Sequence, residues 1–151
     1  MKRTSKYTRK ISSRLGLLGL LGFLGFVGLA TYRHSQSFFP FVFFGFFGFF
    51  GFYYEGKMSA TLMDERFLQN KLRAESKAYS LCSGISFLAL MLTNVAEVVW
   101  VQLAGALALQ VSEVKLMFLT IVLALAFALG IFLSQYLLYH YDREDCNESE
   151  L

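Results

Sequence analysis

Proline is nearly missing from this chain, one residue in 151 at Pro40, and cysteine and histidine are held to two each. Cys82 and Cys146 are too few for a disulfide scaffold or a four-cysteine zinc site. Charge is also scarce at 17%, where an ordinary soluble domain carries about 25%. Anions are absent from the first fourteen residues, which hold Lys2, Arg3, Lys6, Arg9, Lys10 and Arg14. There is no HExxH pair, no phosphate-binding glycine loop with its lysine, and no serine nucleophile elbow. No enzyme activity, catalytic residue, metal or cofactor is therefore expected.

What fills the space is apolar. Hydrophobic residues make up 56% of the chain, 17 of them Phe, and the mean hydropathy is +0.49. Disordered chains are apolar-poor, so disorder is excluded. Residues 15–32 are eighteen positions without a charge, and 35–54 are twenty more. Residues 78–112 are interrupted only by Glu97, and 116–141 are uncharged. A membrane-spanning helix needs about 20 apolar residues. Four spans fit, the first two near the short limit.

Lys and Arg counts in the connecting segments set the orientation. With the N-terminus cytoplasmic, twelve fall inside, including Lys57, Arg66, Lys71, Arg73, Lys77 and Arg143, against Arg33 and Lys115 outside. Tyr53, Tyr54, Tyr79, Tyr136, Tyr139 and Tyr141 then lie at inner ends, and Tyr32 and Trp100 at outer ends, as aromatic belts. The competing reading is a cleavable signal peptide ending near Gly28-Leu29-Ala30. Against it, the second span follows after only a few residues.

Glycine recurs every third residue in the first span, at Gly16, Gly19, Gly22, Gly25 and Gly28, and again in the second at Gly45, Gly48 and Gly51. At about 100° per residue a step of three turns by roughly −60°. On an α-helix these glycines trace a steep groove, with the Leu or Phe ridges of one span packing into the glycine groove of the other. The plain alternative is low-complexity apolar sequence. Ser35-Gln36-Ser37 supplies turn chemistry, and Pro40 falls in a first helical turn, where it is tolerated.

Thr61 and Asp64 match a capping box that starts a helix near Leu62 and runs it toward Tyr79, with continuation into the third span as the other option. Arg66, Asn70, Arg73 and Lys77 fall within about 60° on its wheel, with Leu68, Leu72 and Tyr79 as a separate apolar stripe. Arg66, Arg73 and Lys77 are candidates for contact with an anionic membrane surface or a partner. A positively flanked stalk for the next span is the plainer reading.

In the third span Asn94 and Glu97 share one side, with Trp100 a turn further. They are the candidate polar site, interfacial if the span begins near Leu81 and close to the midplane if it begins near Phe87. In the fourth span Ala126, Gly130 and Ser134 form a small-xxx-small packing face. His34 and His140 fall on opposite sides and cannot share a metal.

The run 15–28, then Phe38-Phe39-Pro40-Phe41-Val42-Phe43-Phe44-Gly45-Phe46-Phe47-Gly48, Tyr53-Tyr54-Glu55-Gly56-Lys57-Met58 and Asp64-Glu65-Arg66-Phe67 resembles an uncharacterised family of small multi-pass membrane proteins of Gram-positive bacteria, classed as a domain of unknown function. The resemblance is strongest over residues 15–77, and the later spans match mainly in hydropathy. Members are often encoded beside a small helix-turn-helix regulator, which implies a regulatory pairing. No reaction or site residue comes with the resemblance.

The expected fold is thus an all-α, four-span bundle: a basic cytoplasmic N-terminus (1–14), a Gly-rich transmembrane hairpin (15–54), a cytoplasmic amphipathic helix (55–77), a second hairpin (78–141) and an acidic cytoplasmic tail (142–151). The expected partners are the lipid bilayer, a second copy, or a membrane or cytoplasmic protein, and not nucleic acid. The function expected is non-enzymatic, exerted through protein contacts. A small transporter or channel subunit using Glu97 and Asn94 is the alternative.

Overall fold

The computed structural model describes residues 10–59 and 63–148, the side chains of Arg33, Ser35 and 145–148 apart. All the regular secondary structure among the described residues is helical, with no strand. Helix α1 opens as a 3₁₀-helix, Ser13–Leu24, and continues as an α-helix, Gly25–Ser35. Helix α2 repeats that plan, 3₁₀ over Phe39–Phe50 and α over Gly51–Lys57. Three α-helices follow: α3 (Glu65–Val95), α4 (Glu97–Leu107) and α5 (Val111–Glu148). Three stretches, Ser13–Tyr32, Glu65–Val95 and Val111–Glu144, are long and apolar enough to cross a membrane.

The 3₁₀ segments correct the groove expected from the glycine repeat. A 3₁₀-helix has about 3.0 residues per turn, so residues three apart eclipse one another. The period-three glycines therefore form a straight face. Gly16, Gly19 and Gly22 lie on it, and it carries on through Gly25 and Gly28. All five are buried, while Leu17, Leu20 and Phe23 beside them are exposed.

Across that face α2 runs antiparallel. Gly16 meets Tyr53, Gly19 meets Phe50, Gly22 meets Phe47, Gly25 meets Phe44 and Gly28 meets Phe41, three residues down for every three up. Along α2 the rings stack at 6.5, 6.1 and 6.2 Å for Phe41–Phe44, Phe44–Phe47 and Phe47–Phe50. That spacing is the 3₁₀ pitch, three residues at about 2.0 Å each.

The packing runs one way, with the aromatic row of α2 on the glycine face of α1. The glycines of α2 do not receive α1. They face α5, where a Cβ on Gly48 would lie 3.0 Å from the Ala128 backbone and one on Gly51 would lie 3.1 Å from the Ile131 carbonyl. Three rows on one 3₁₀ helix thus have separate uses: aromatic toward α1, glycine toward α5, and the Phe43, Phe46, Phe49, Phe52 row between them.

The helices lie in the order α1, α2, α5, α3, and extended contact occurs between neighbours in that order. This is an open row. The 36–38 and 108–110 turns lie together at one end, the turn end, and Lys57 and Arg143 lie at the opposite, terminal end.

Asp64, not Thr61, caps α3: its carboxylate accepts from the Phe67 N–H at 2.8 Å, and the helix begins at Glu65. Thr61 and Leu62 lie outside the described residues. The helix runs past Tyr79 unbroken to Val95, the continuation into the third span that the sequence left open, so the amphipathic segment and the third apolar run are one element. Pro40 falls in the first turn of α2, as expected.

Candidate functional site

Asn94, Glu97 and Trp100 meet at a break in helical geometry, which changes their relationship. The one-sided alignment expected of them requires a continuous helix, and the helix stops at Ala96 (φ −87°, ψ 49°). Neither proline nor glycine causes this. Thr93 Oγ1 donates to the Ala89 carbonyl at 2.7 Å and Asn94 Nδ2 to that of Leu90 at 2.8 Å. Such back-bonding competes with the helix ladder. Trp100 Nε1 then donates to the Leu92 carbonyl at 3.0 Å across the break, satisfying a terminal acceptor.

Trp100 is not a surface belt residue. It is 5% exposed and packs on Phe118 of α5 at a ring distance of 4.9 Å, with Ala104 and Val114 buried around it. Glu97 points away from this core. Its carboxylate takes a 2.5 Å hydrogen bond from Lys115 Nζ, with the Glu97 side chain 60% exposed and that of Lys115 23%. Asn94 is exposed.

Ala126, Gly130 and Ser134 lie along the α3–α5 seam. Ala126 is buried, and a Cβ on Gly130 would lie 3.2 Å from Cys82 Sγ. With Ser134 these residues line an open groove of about 580 Å³. Sequence reading missed the opposing row, Ala74, Ala78, Cys82 and Ser86, whose four-residue spacing of small side chains was the available signal. Two of the hydroxyls here are bonded back to their own helices. Ser86 donates to the Cys82 carbonyl at 2.8 Å and Ser134 to that of Ile131 at 2.9 Å. The groove wall is mostly apolar as a result.

At the terminal end the basic face of α3 divides. Asn70 is buried, at 8% exposure. Arg66 is exposed. Arg73 stacks its guanidinium 4.9 Å over the Tyr141 ring, and Lys77 Nζ donates to the Tyr141 hydroxyl at 2.7 Å. Arg73 and Lys77 therefore join α3 to α5. Leu68, Leu72 and Tyr79 stay exposed as a stripe.

No family model, curated protein or solved structure matches this chain. Function is accordingly read from geometry. His34 follows Arg33 at the turn end and His140 packs on Tyr136 toward the terminal end. Among the described residues no three His, Cys, Asp or Glu side chains group as metal ligands. The arrangement offers an exposed ion pair beside a kink, a mostly apolar groove, and an aromatic–cation seam.

Proposed function

We propose that the chain is an integral membrane protein of four spans with cytoplasmic termini, acting through contacts with other proteins rather than by catalysis, as a sensor, accessory or immunity component. The observation that carries this reading is the open row with apolar side chains exposed along it: Leu17 at 65%, Phe39 at 68%, Leu88 at 58% and Phe127 at 65%. Soluble monomers rarely present apolar surface on this scale. In a bilayer, lipid and neighbouring helices cover it.

The 3₁₀ segments support the two short spans. Ten residues at about 2.0 Å and eight at about 1.5 Å carry 15–32 over roughly 32 Å, against a hydrocarbon core of about 30 Å. A wholly α-helical segment of that length reaches only about 27 Å. In α2 the same arithmetic gives about 30 Å for 39–54. The zipper along α1 favours a retained first span over a cleaved leader.

The transport alternative draws on Glu97, but an open row encloses no lumen in one copy, and the carboxylate is paired with Lys115. A photo-crosslinking amino acid at Leu17 and, separately, at Leu88 tests the contact reading in native membranes. Discrete protein adducts, to a second copy or to another membrane protein, are expected from at least one edge. Adducts to lipid alone from both, together with loss of a solute flux in Glu97→Gln, would replace contact by transport.

A further inference from the structure

At the turn end the tip of α1 meets the turn between α4 and α5 around a cavity of about 440 Å³. It is lined by Tyr32, Gln36, the turn 107–110 and Glu113. Tyr32 is 3% exposed, its ring held against Phe38 and Phe41 at 5.1 and 6.3 Å. Its hydroxyl makes no hydrogen bond among the described residues. Since no buried side-chain oxygen or nitrogen there lacks a partner, that hydroxyl opens into the cavity. An otherwise buried tyrosine thus presents one polar atom to a partly open cavity.

The rest of the lining is rich in acceptors. The backbone donors of the turn are spent internally: Gln36 N–H on the Tyr32 carbonyl at 2.8 Å, Ala108 on Gly105 at 3.3 Å, Leu109 on Ala104 at 3.0 Å, and Gln110 on one Glu113 carboxylate oxygen at 3.1 Å. Glu113 keeps its second oxygen. Two helices, α1 and α4, end here, at Gln36 and Ala108. Their dipoles place negative ends at the site. The N-terminus of α5 opposes them, but Glu113 in its first turn already meets that positive end.

A carboxylate, two helix C-termini, a phenol oxygen and a carboxamide oxygen select a cation with several N–H donors. We propose that this cavity binds a primary ammonium group. Such a group offers three donors on a compact charge, which match Glu113, Tyr32 and Gln36. The amine comes either from a small soluble compound or from the headgroup of an aminophospholipid.

Calorimetric titration of the full chain in phosphatidylcholine nanodiscs tests this, with ethanolamine as the probe and choline as its N–H-free counterpart. Saturable ethanolamine binding at least tenfold tighter than choline binding is expected. Glu113→Gln, whose amide oxygen can still cap Gln110, should weaken ethanolamine at least tenfold, and Tyr32→Phe, which keeps the ring stacking, about fivefold. Both variants should unfold at the wild-type temperature. No saturable heat in the wild type, equal binding of ethanolamine and choline, or wild-type binding in both variants would overturn the proposal. Adding phosphatidylethanolamine to the nanodiscs separates the sources, because weakened ethanolamine binding makes the lipid headgroup the ligand and unchanged binding makes it the soluble amine.

Discussion

Phe47 occupies the space a side chain on Gly22 would need: a Cβ there would lie 2.5 Å from ring Cδ1. The near side of the ring is involved, so a rotamer change at its tip gives no relief. Gly22→Ala should cost about 1–3 kcal/mol, the usual penalty of overpacking. Gly84 and Gly105 are the internal controls, because nothing lies within 4 Å of a Cβ at either. Gly84→Ala should be neutral or stabilising by up to about 1 kcal/mol, the propensity difference between Ala and Gly in a helix. Unfolding in detergent micelles measures both. Equal effects at Gly22 and Gly84 would mean that the zipper is not tight.

Tyr141 ties α5 to α3 through Arg73 and Lys77. Tyr141→Ala should raise protease cleavage of the 55–77 segment in inside-out vesicles as much as Arg73→Gln with Lys77→Gln does. Arg66→Gln should leave it unchanged. A membrane-surface role makes the opposite forecast, with all three cations contributing and added salt mimicking their loss. The clamp is a contact with an aromatic ring and hydroxyl, so salt at physiological strength should move cleavage little.

How much of this was legible depends on which helix geometry a reader assumes. The glycine period was plain in the sequence, yet at about 100° per residue it reads as a spiral groove, and only at about 120° does it become a face. Pro40 gave the start of α2 because it acts through local backbone chemistry, whereas the capping box set the start of α3 three residues early, Asp64 being the cap itself. The break at Ala96 gave no such warning. It arises from Thr93, Asn94 and Trp100 acting on carbonyls, and no proline or glycine marks it. Tyr32, Gln36 and Glu113 could not be grouped from sequence, since only the order of the helix row brings the α1 tip to the α4–α5 turn.

Trp100 closes that break, so Trp100→Phe should loosen it. The change removes the indole N–H from the Leu92 carbonyl and leaves a small void against Phe118. The Leu92 oxygen still accepts from the Ala96 N–H at 3.2 Å, which limits the loss. A cost of about 1–3 kcal/mol is expected from the hydrogen bond and the void together. Hydrogen exchange should then accelerate in α4 ahead of α5. Uniform acceleration along both helices would mean that Trp100 supports the whole end rather than the break.

Ala108 ends α4 in the left-handed region at φ 54°, one of two non-glycine residues there among those described, the other being Gln36. The turn resembles a glycine-terminated helix end: Leu109 N–H reaches the Ala104 carbonyl at 3.0 Å, closing the last turn. Alanine at this φ carries a strain of about 1–2 kcal/mol. Glycine removes it at the cost of about 0.5–1 kcal/mol in added freedom of the unfolded chain. Ala108→Gly should therefore stabilise by roughly 0.5–1 kcal/mol, while Ala108→Val, β-branched at positive φ, should destabilise by more than that. Gln36→Gly is a poorer test, because it also removes the carboxamide from the turn-end cavity. Thermal unfolding of the two Ala108 variants reads the sign directly. Opposite shifts, glycine up and valine down, are the expected result, and a fall for both would mean that the alanine methyl is packed rather than strained.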